Sequence, residues 1–235
     1  MIITLNSKRD KKRKNGVPVH KELLCYYSKY YRAALKGGFS EAESNVFEVD
    51  ASHACLGDFV GWLYTGYLEP FPWKPDSATK PMSVVDMYIL ADRIDSLALR
   101  RSIISSLVPM PKIGNTRYTL GFHAIAVAFN SLPMSAQLCK FAIDSYVEHW
   151  QESEDDDDTM RVLDEAPTLF LYKVICGKNK LLERITKRSC VCCATACTYH
   201  EHESEEERLA SEYQKASIGR WILTTKRSLR EEGRR

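Results

Sequence analysis

The chain has 235 residues and a formal net charge of +2, enough length for one sizeable core and no global basic field directed at nucleic acid. Eight cysteines are too few for a disulfide scaffold at this length, and no apolar run approaches the ~18 residues that span a bilayer. Residues 1–5 are too short for a secretory leader and run into the charges of 8–14, so the expected location is intracellular, cytoplasmic or nuclear, with thiols reduced or metal-bound.

Ile2-Ile3-Thr4-Leu5 reads as a strand. The charged connection after it ends at Asn15-Gly16, a hairpin signal. Its run Lys8-Arg9-Asp10-Lys11-Lys12-Arg13-Lys14 is either a nuclear-import or phosphate-binding patch or a solvated hairpin tip. Val17 and Val19 alternate around Pro18, which donates no amide hydrogen and so predicts an edge strand. Leu23, Leu24 and Tyr27 then recur at helical spacing, and Ser28 is placed to cap a second helix carrying Tyr30, Tyr31, Ala34 and Leu35. Gly37-Gly38 stops it.

Residues 46–50 predict a third strand with Phe47 and Val49 inward. Asp50 and Ser52 are candidate caps for a helix whose stripe is Leu56, Phe59, Val60 and Leu63, ending at Thr65-Gly66. Trp62 lies off that stripe, as a packing residue or a partner contact. Pro70, Pro72, Pro75 and Pro81 exclude a helix over 69–83. That segment is an inserted loop or a recognition loop anchored by Phe71 and Trp73. Ser83 is a candidate cap for a helix with Met87, Leu90, Ala91 and Ile94 on its apolar face. After Asp95-Ser96 a further helix carries Leu99, Ile103 and Leu107, with Arg100 and Arg101 pointing elsewhere.

Pro109 and Pro111 mark a boundary. Phe122, Ile125, Ala126 and Phe129 form one helical face, and a second helix starts at Pro133–Ser135, carries Leu138, Phe141 and Ala142, and ends near Trp150. Residues 152–158 are an acidic, exposed linker. A short helix over Leu169 to Ile175 is expected to break at Gly177 and resume with Leu181, Leu182 and Ile185. The divisions are thus 1–110, 111–151, 152–158, 159–188 and a charged flexible tail over 189–235.

The strand-to-helix block His20, Lys21, Leu23, Leu24, Ser28, Tyr30 and Tyr31 resembles the BTB (POZ) domain. Two further blocks follow in the family's order: Phe59-Val60-Gly61-Trp62-Leu63-Tyr64-Thr65-Gly66, then Leu90-Ala91-Asp92-Arg93-Ile94 with Leu97-Ala98-Leu99-Arg100. The wording is most similar to BTB proteins of filamentous fungi. The resemblance implies an α+β fold, a small sheet flanked by a cluster of short helices, followed by an all-helical pair like those that family members append. It implies a non-catalytic protein–protein interaction module, docking onto another BTB chain or onto a cullin-type ubiquitin ligase as a substrate adaptor. His20, Ser28, Tyr31 and Asp92 are then expected to serve the fold. Dimeric members carry a helix and a strand ahead of the first strand. Here Ile2 opens that strand, so a monomer or a pairing with a full-length partner is expected. Cullin-binding members often carry a hydrophobic-x-Glu motif. Tyr67-Leu68-Glu69 fits that pattern, although earlier than in the family. The expected partner-binding residues are Trp62, Tyr67, Leu68, Glu69, Phe71 and Trp73.

Cys190, Cys193, Cys197 and His200, with Cys192 and His202 as spares, have the residue types of a zinc site. The gap between the two pairs is short for a finger, and a tail of reduced thiols with no cofactor is the other reading. With the basic run, such a zinc-bearing tail supports a second functional class, a nuclear, nucleic-acid-associated or transcription-regulatory protein. No P-loop, GxGxxG or GxSxG occurs, so no enzyme is expected.

Overall fold

The computed structural model describes residues 1–10, 15–36, 45–68, 80–108, 112–113, 116–117, 119–150, 163–183 and 196–209. The fold is mixed α and β, mostly helical with a small three-stranded sheet. Strand β1 (Ile2–Ser7) is central, flanked by β2 (Val17–His20) and β3 (Val46–Val49). β1 and β2 are antiparallel, with Ile3 opposite Val19, and β1 and β3 are parallel, with Leu5 beside Phe47. Ile3, Leu5, Val19, Phe47 and Val49 all face the core, as their alternation predicts. Pro18 sits on an edge strand because its ring nitrogen cannot donate to a neighbour on both sides. Gly16 is required at the hairpin: a Cβ there would come within 2.2 Å of Asn6 Oδ1 and 2.4 Å of Thr4 Cγ2.

β2 passes without a loop into α1 (Lys21–Tyr27), and α2 (Lys29–Lys36) follows after one residue. That residue, Ser28, is fully buried and does two jobs. Its Oγ accepts from the Tyr31 amide at 3.0 Å, capping α2, and donates to the Ile94 carbonyl at 2.5 Å. It thereby ties the helical hairpin to the end of a distant helix. Tyr31 is buried edge-on against Phe47, which holds α2 to the sheet and pushes its phenol pKa up by desolvation.

Helix α3 (His53–Thr65) is capped by Ser52, whose side chain accepts from the Cys55 amide at 3.2 Å. Gly66 ends it at φ 67°, a left-handed conformation that glycine adopts without strain. Asp50, the other expected cap, instead joins an ion-pair network. Its carboxylate accepts from Arg9 Nε at 2.9 Å and from Arg93 Nη1 at 2.6 Å, while Arg9 Nη1 reaches Asp86 at 3.0 Å. The arginine hydrogen bonds hold the Asp50 carboxyl below the usual range. Leu56, Phe59 and Leu63 are buried, each contributing about 1.5–3 kcal/mol.

Helix α4 (Lys80–Arg93) begins three residues before the expected Ser83 cap and includes Pro81. A first-turn proline costs little, because the amide it lacks has no intrahelical acceptor. Asp95, at φ 47°, turns the chain into α5 (Leu97–Leu107). Ser96 takes the N-cap position of α5 without a side-chain cap bond. Arg100, expected to point away, is buried, with its guanidinium 3.5 Å from both the Ala91 carbonyl and Asp95. Lys112–Ile113 and Thr116–Arg117 form a short antiparallel pair, β4 and β5, that the residue pattern does not announce.

Helices α6 (Phe122–Ser131), α7 (Gln137–His149) and α8 (Thr168–Leu182) complete the helical part. α4 packs on α6, and α7 packs along α8. The face Phe122, Ile125 and Ala126 is buried as expected. α7 starts at Gln137, one turn below Pro133, and ends at the Trp150 C-cap. α8 corrects the expected break: the helix runs unbroken through Gly177. The glycine serves close approach, since a Cβ there would lie 2.4 Å from Val147 Cγ2 of α7. The described residues up to Tyr199 form one compact unit, and those from His200 to 209 belong to a second. Among the described residues no helix is long and apolar enough to cross a membrane.

Candidate protein-binding surface

The C-terminal end of α3 and the adjoining α1 carry an aromatic surface. Tyr64 is 52% exposed, Tyr67 59% and Tyr26 71%. The tyrosines are held by fixed structure. The Tyr64 hydroxyl lies 2.5 Å from His20 Nδ1 and accepts from the His20 amide at 3.2 Å, so it stitches α3 to the end of β2. In the tautomer that carries the ring hydrogen on Nε2, the hydroxyl proton is donated to Nδ1. His20 is therefore an exposed partner of Tyr64, although a strand running into a helix suggests a packed place for both His20 and Cys25. Cys25 does lie in the core.

Tyr67 follows the Gly66 cap, and its amide donates to the Thr65 hydroxyl at 3.1 Å, whose own proton is shared between the Gly61 carbonyl at 2.9 Å and the Tyr67 carbonyl at 3.1 Å. Leu68 is partly buried against the core and anchors the exit from α3. From the solvent inward, Tyr26 meets Tyr27 edge-on and Tyr27 meets Trp62 at a tilt, with ring-centroid separations of 4.8 and 4.9 Å. Of the two roles open to Trp62, packing is the one observed: it is 3% exposed and is not itself on the surface. Its indole N–H has no hydrogen-bond partner among the described residues.

Beside Tyr26 lies an open groove of about 460 Å³ lined by Lys21, Glu22, Cys25, Tyr26, Arg32 and Lys36. Arg32 is pinned there, donating from Nε to the Cys25 carbonyl at 2.8 Å and from Nη2 to the Tyr26 carbonyl at 3.0 Å. These carbonyls are the last acceptors of α1, so the guanidinium sits at the negative end of the helix. Among the described residues no carboxylate pairs with it. The groove thus combines fixed positive charge with an exposed aromatic ring.

Of the sequence-expected binding residues, Tyr67 and Leu68 lie together at the end of α3. Glu69, Phe71 and Trp73 fall outside the described residues. Tyr26, Tyr64 and Arg32 were not expected. Tyr26 could have been found: it is the one aromatic of α1 off the Leu23, Leu24, Tyr27 stripe. Tyr64 looks like any member of a helical block until its partner His20 is known.

Of the metal candidates, Cys190 and Cys193, with Cys192, lie outside the described residues. Cys197 falls in a single 3-10 turn, Ala196–Tyr199. His200 and His202 are neighbours, with ring centroids 6.0 Å apart. Among the described residues no group of three metal-binding side chains gathers. Tyr199 is buried and donates to Asp144 at 2.8 Å, which docks that turn on α7. In the basic run Arg9 is committed to Asp50 and Asp86, and residues 11–14 lie outside the described part. In comparisons with known proteins, no protein-family model matches the chain and no curated protein matches it.

Proposed function

We propose that this chain is a BTB-type protein–protein interaction module, acting by binding rather than catalysis, with a cullin-type ubiquitin ligase scaffold as the partner of its first half. The succession strand, strand, helical hairpin, strand, helix, then two further helices follows the order in which the three resembling blocks occur. Ser28, the residue shared by cap and tertiary clasp, gives that block a physical reason. The observation that carries the binding reading is the exposed aromatic surface, Tyr26, Tyr64 and Tyr67, mounted on elements that the core holds rigid. Rigid aromatic side chains supply contact area at low entropy cost and dominate protein interfaces. The neighbouring Lys21, Arg32 and Lys36 outnumber Glu22 in the adjoining groove, so the partner surface is acidic around an apolar centre. In an adaptor the gain is effective concentration, one face holding the ligase and another the substrate.

Titration against the N-terminal domain of a cullin that serves BTB adaptors tests this. Saturable binding is expected, weakened at least about tenfold by a Tyr64→Ala, Tyr67→Ala variant, the loss of two hot-spot aromatics. Absence of binding at about 100 µM, where even weak specific complexes register, removes the cullin assignment. Among the described residues nothing favours the nucleic-acid reading over this one, since Arg9 spends its charge on two carboxylates.

A further inference from the structure

α8 is apolar on two sides. One side, Phe170, Val174 and the partly buried Leu181, packs inward, with Gly177 against Val147. The opposite side also carries large apolar side chains: Leu169 at 48% exposure, Tyr172 at 59%, Ile175 at 60% and Leu182 at 84%. A helix that is hydrophobic all round belongs inside something larger. The spacing on the exposed side is regular. Tyr172, Ile175, Asn179 and Leu182 follow at intervals of three, four and three, the a and d positions of two heptads. Asn179 is exposed and stands where a coiled coil places its one polar core residue.

We propose that this face is the contact between two copies of the chain, packed as a short parallel pair of α8 helices about a twofold axis. Three features select this occupant and orientation. In a parallel pair each core residue meets its own copy, so Asn179 meets Asn179 and the two amides satisfy each other. In the antiparallel pair Asn179 would face Ile175 and bury an unpaired amide. Charge is complementary in the same arrangement: Lys178 flanks the stripe on one side and Glu183, five residues on, flanks it on the other. A parallel pair brings Lys178 of one copy to Glu183 of the second. Lys178 is already held in place, donating to the Trp150 carbonyl at 3.0 Å with its ammonium 5.7 Å from the Trp150 ring centre. One such bond leaves two of its three donors for the second copy.

The third feature is preorganisation. Two isolated heptads do not hold a helix in water. Here packing on α7 has already formed α8, so association does not have to order it. Four partly exposed side chains per copy bury less than the ~1,200 Å² of a standard stable interface, which makes the dimer reversible and concentration-dependent. The inference does not depend on the cullin reading.

Sedimentation equilibrium of the full chain tests it. The mass at low concentration is the 26.9 kDa of one chain, and the expected result is a rise toward two chains between about 1 and 100 µM, the range of modest interfaces. Ile175→Asp and Leu182→Asp, both on the exposed side, should each weaken association at least about tenfold by burying a charge, with an unchanged melting temperature. Glu183→Lys should weaken it by like charge against Lys178, and adding Lys178→Glu should restore it. A monomer throughout overturns the proposal, as does a dimer that Ile175→Asp leaves intact. A dimer lost on Ile175→Asp but not restored by the charge swap overturns the parallel arrangement.

Discussion

Single side chains set much of the behaviour of this molecule. Ser28 satisfies the open end of α2 and the carbonyl of Ile94 from a buried site. Ser28→Ala should therefore cost about 1–2 kcal/mol, a lost cap with a stranded carbonyl added. A denaturant midpoint lowered at constant slope would show it. Ser28 was legible in the sequence because a hydroxyl between two short apolar helices has few other uses. Asp50 was not, since a carboxylate just ahead of a helix reads as a cap, and only the fold brings Arg9 and Arg93 to it. Its carboxyl is held low by those arginines, so the charged form favours the folded chain. That share of stability is fully present above about pH 4, the ordinary aspartate range, and is lost as the pH falls from there through the lowered value of the folded chain. Asp50→Asn should flatten this acid limb in urea midpoints taken from pH 6 down to about pH 3. The side chain is half exposed, so the effect is small.

At the level of elements, apolar periodicity located α3, α5 and α6 to within a few residues, because each buries an apolar stripe of its own in the core. It failed where the cause of a residue's placement lies in a distant part of the chain. Gly177 has the signature of a helix break yet sits in mid-helix, since the cause, Val147 at 2.4 Å from a would-be Cβ, lies thirty residues earlier. A glycine in an open helix costs about 1 kcal/mol relative to alanine. Here Gly177→Ala should instead destabilise, by about 1–3 kcal/mol of overpacking. Val147→Ala in the same chain should recover most of that loss, and a double-mutant cycle in urea measures the coupling. Pro81 misled in the opposite sense, since a proline in the first turn is tolerated. β4 and β5, two residues each, are too short to leave an alternating pattern.

The whole molecule joins a sheet-and-helix first part to a helical second part through α4 on α6. The resemblance in the first part rested on blocks that mix two kinds of residue: Ser28, Tyr31 and the stripe of α3 are buried, while His20, Tyr30 and Tyr64 are exposed. The candidate binding surface was only partly legible, because exposure is decided by tertiary packing. Trp62 and Tyr64 are two residues apart on one helix, one sealed beneath Tyr27 and the other open to solvent.

The measurement closest to the central claim is amide hydrogen exchange of this chain, alone and with a cullin N-terminal domain, followed peptide by peptide. New protection is expected over residues 20–32 and 62–68, the α1 groove and the end of α3, with α6 to α8 unchanged. No complex, or protection confined to α6–α8 while residues 62–68 exchange freely, would contradict it.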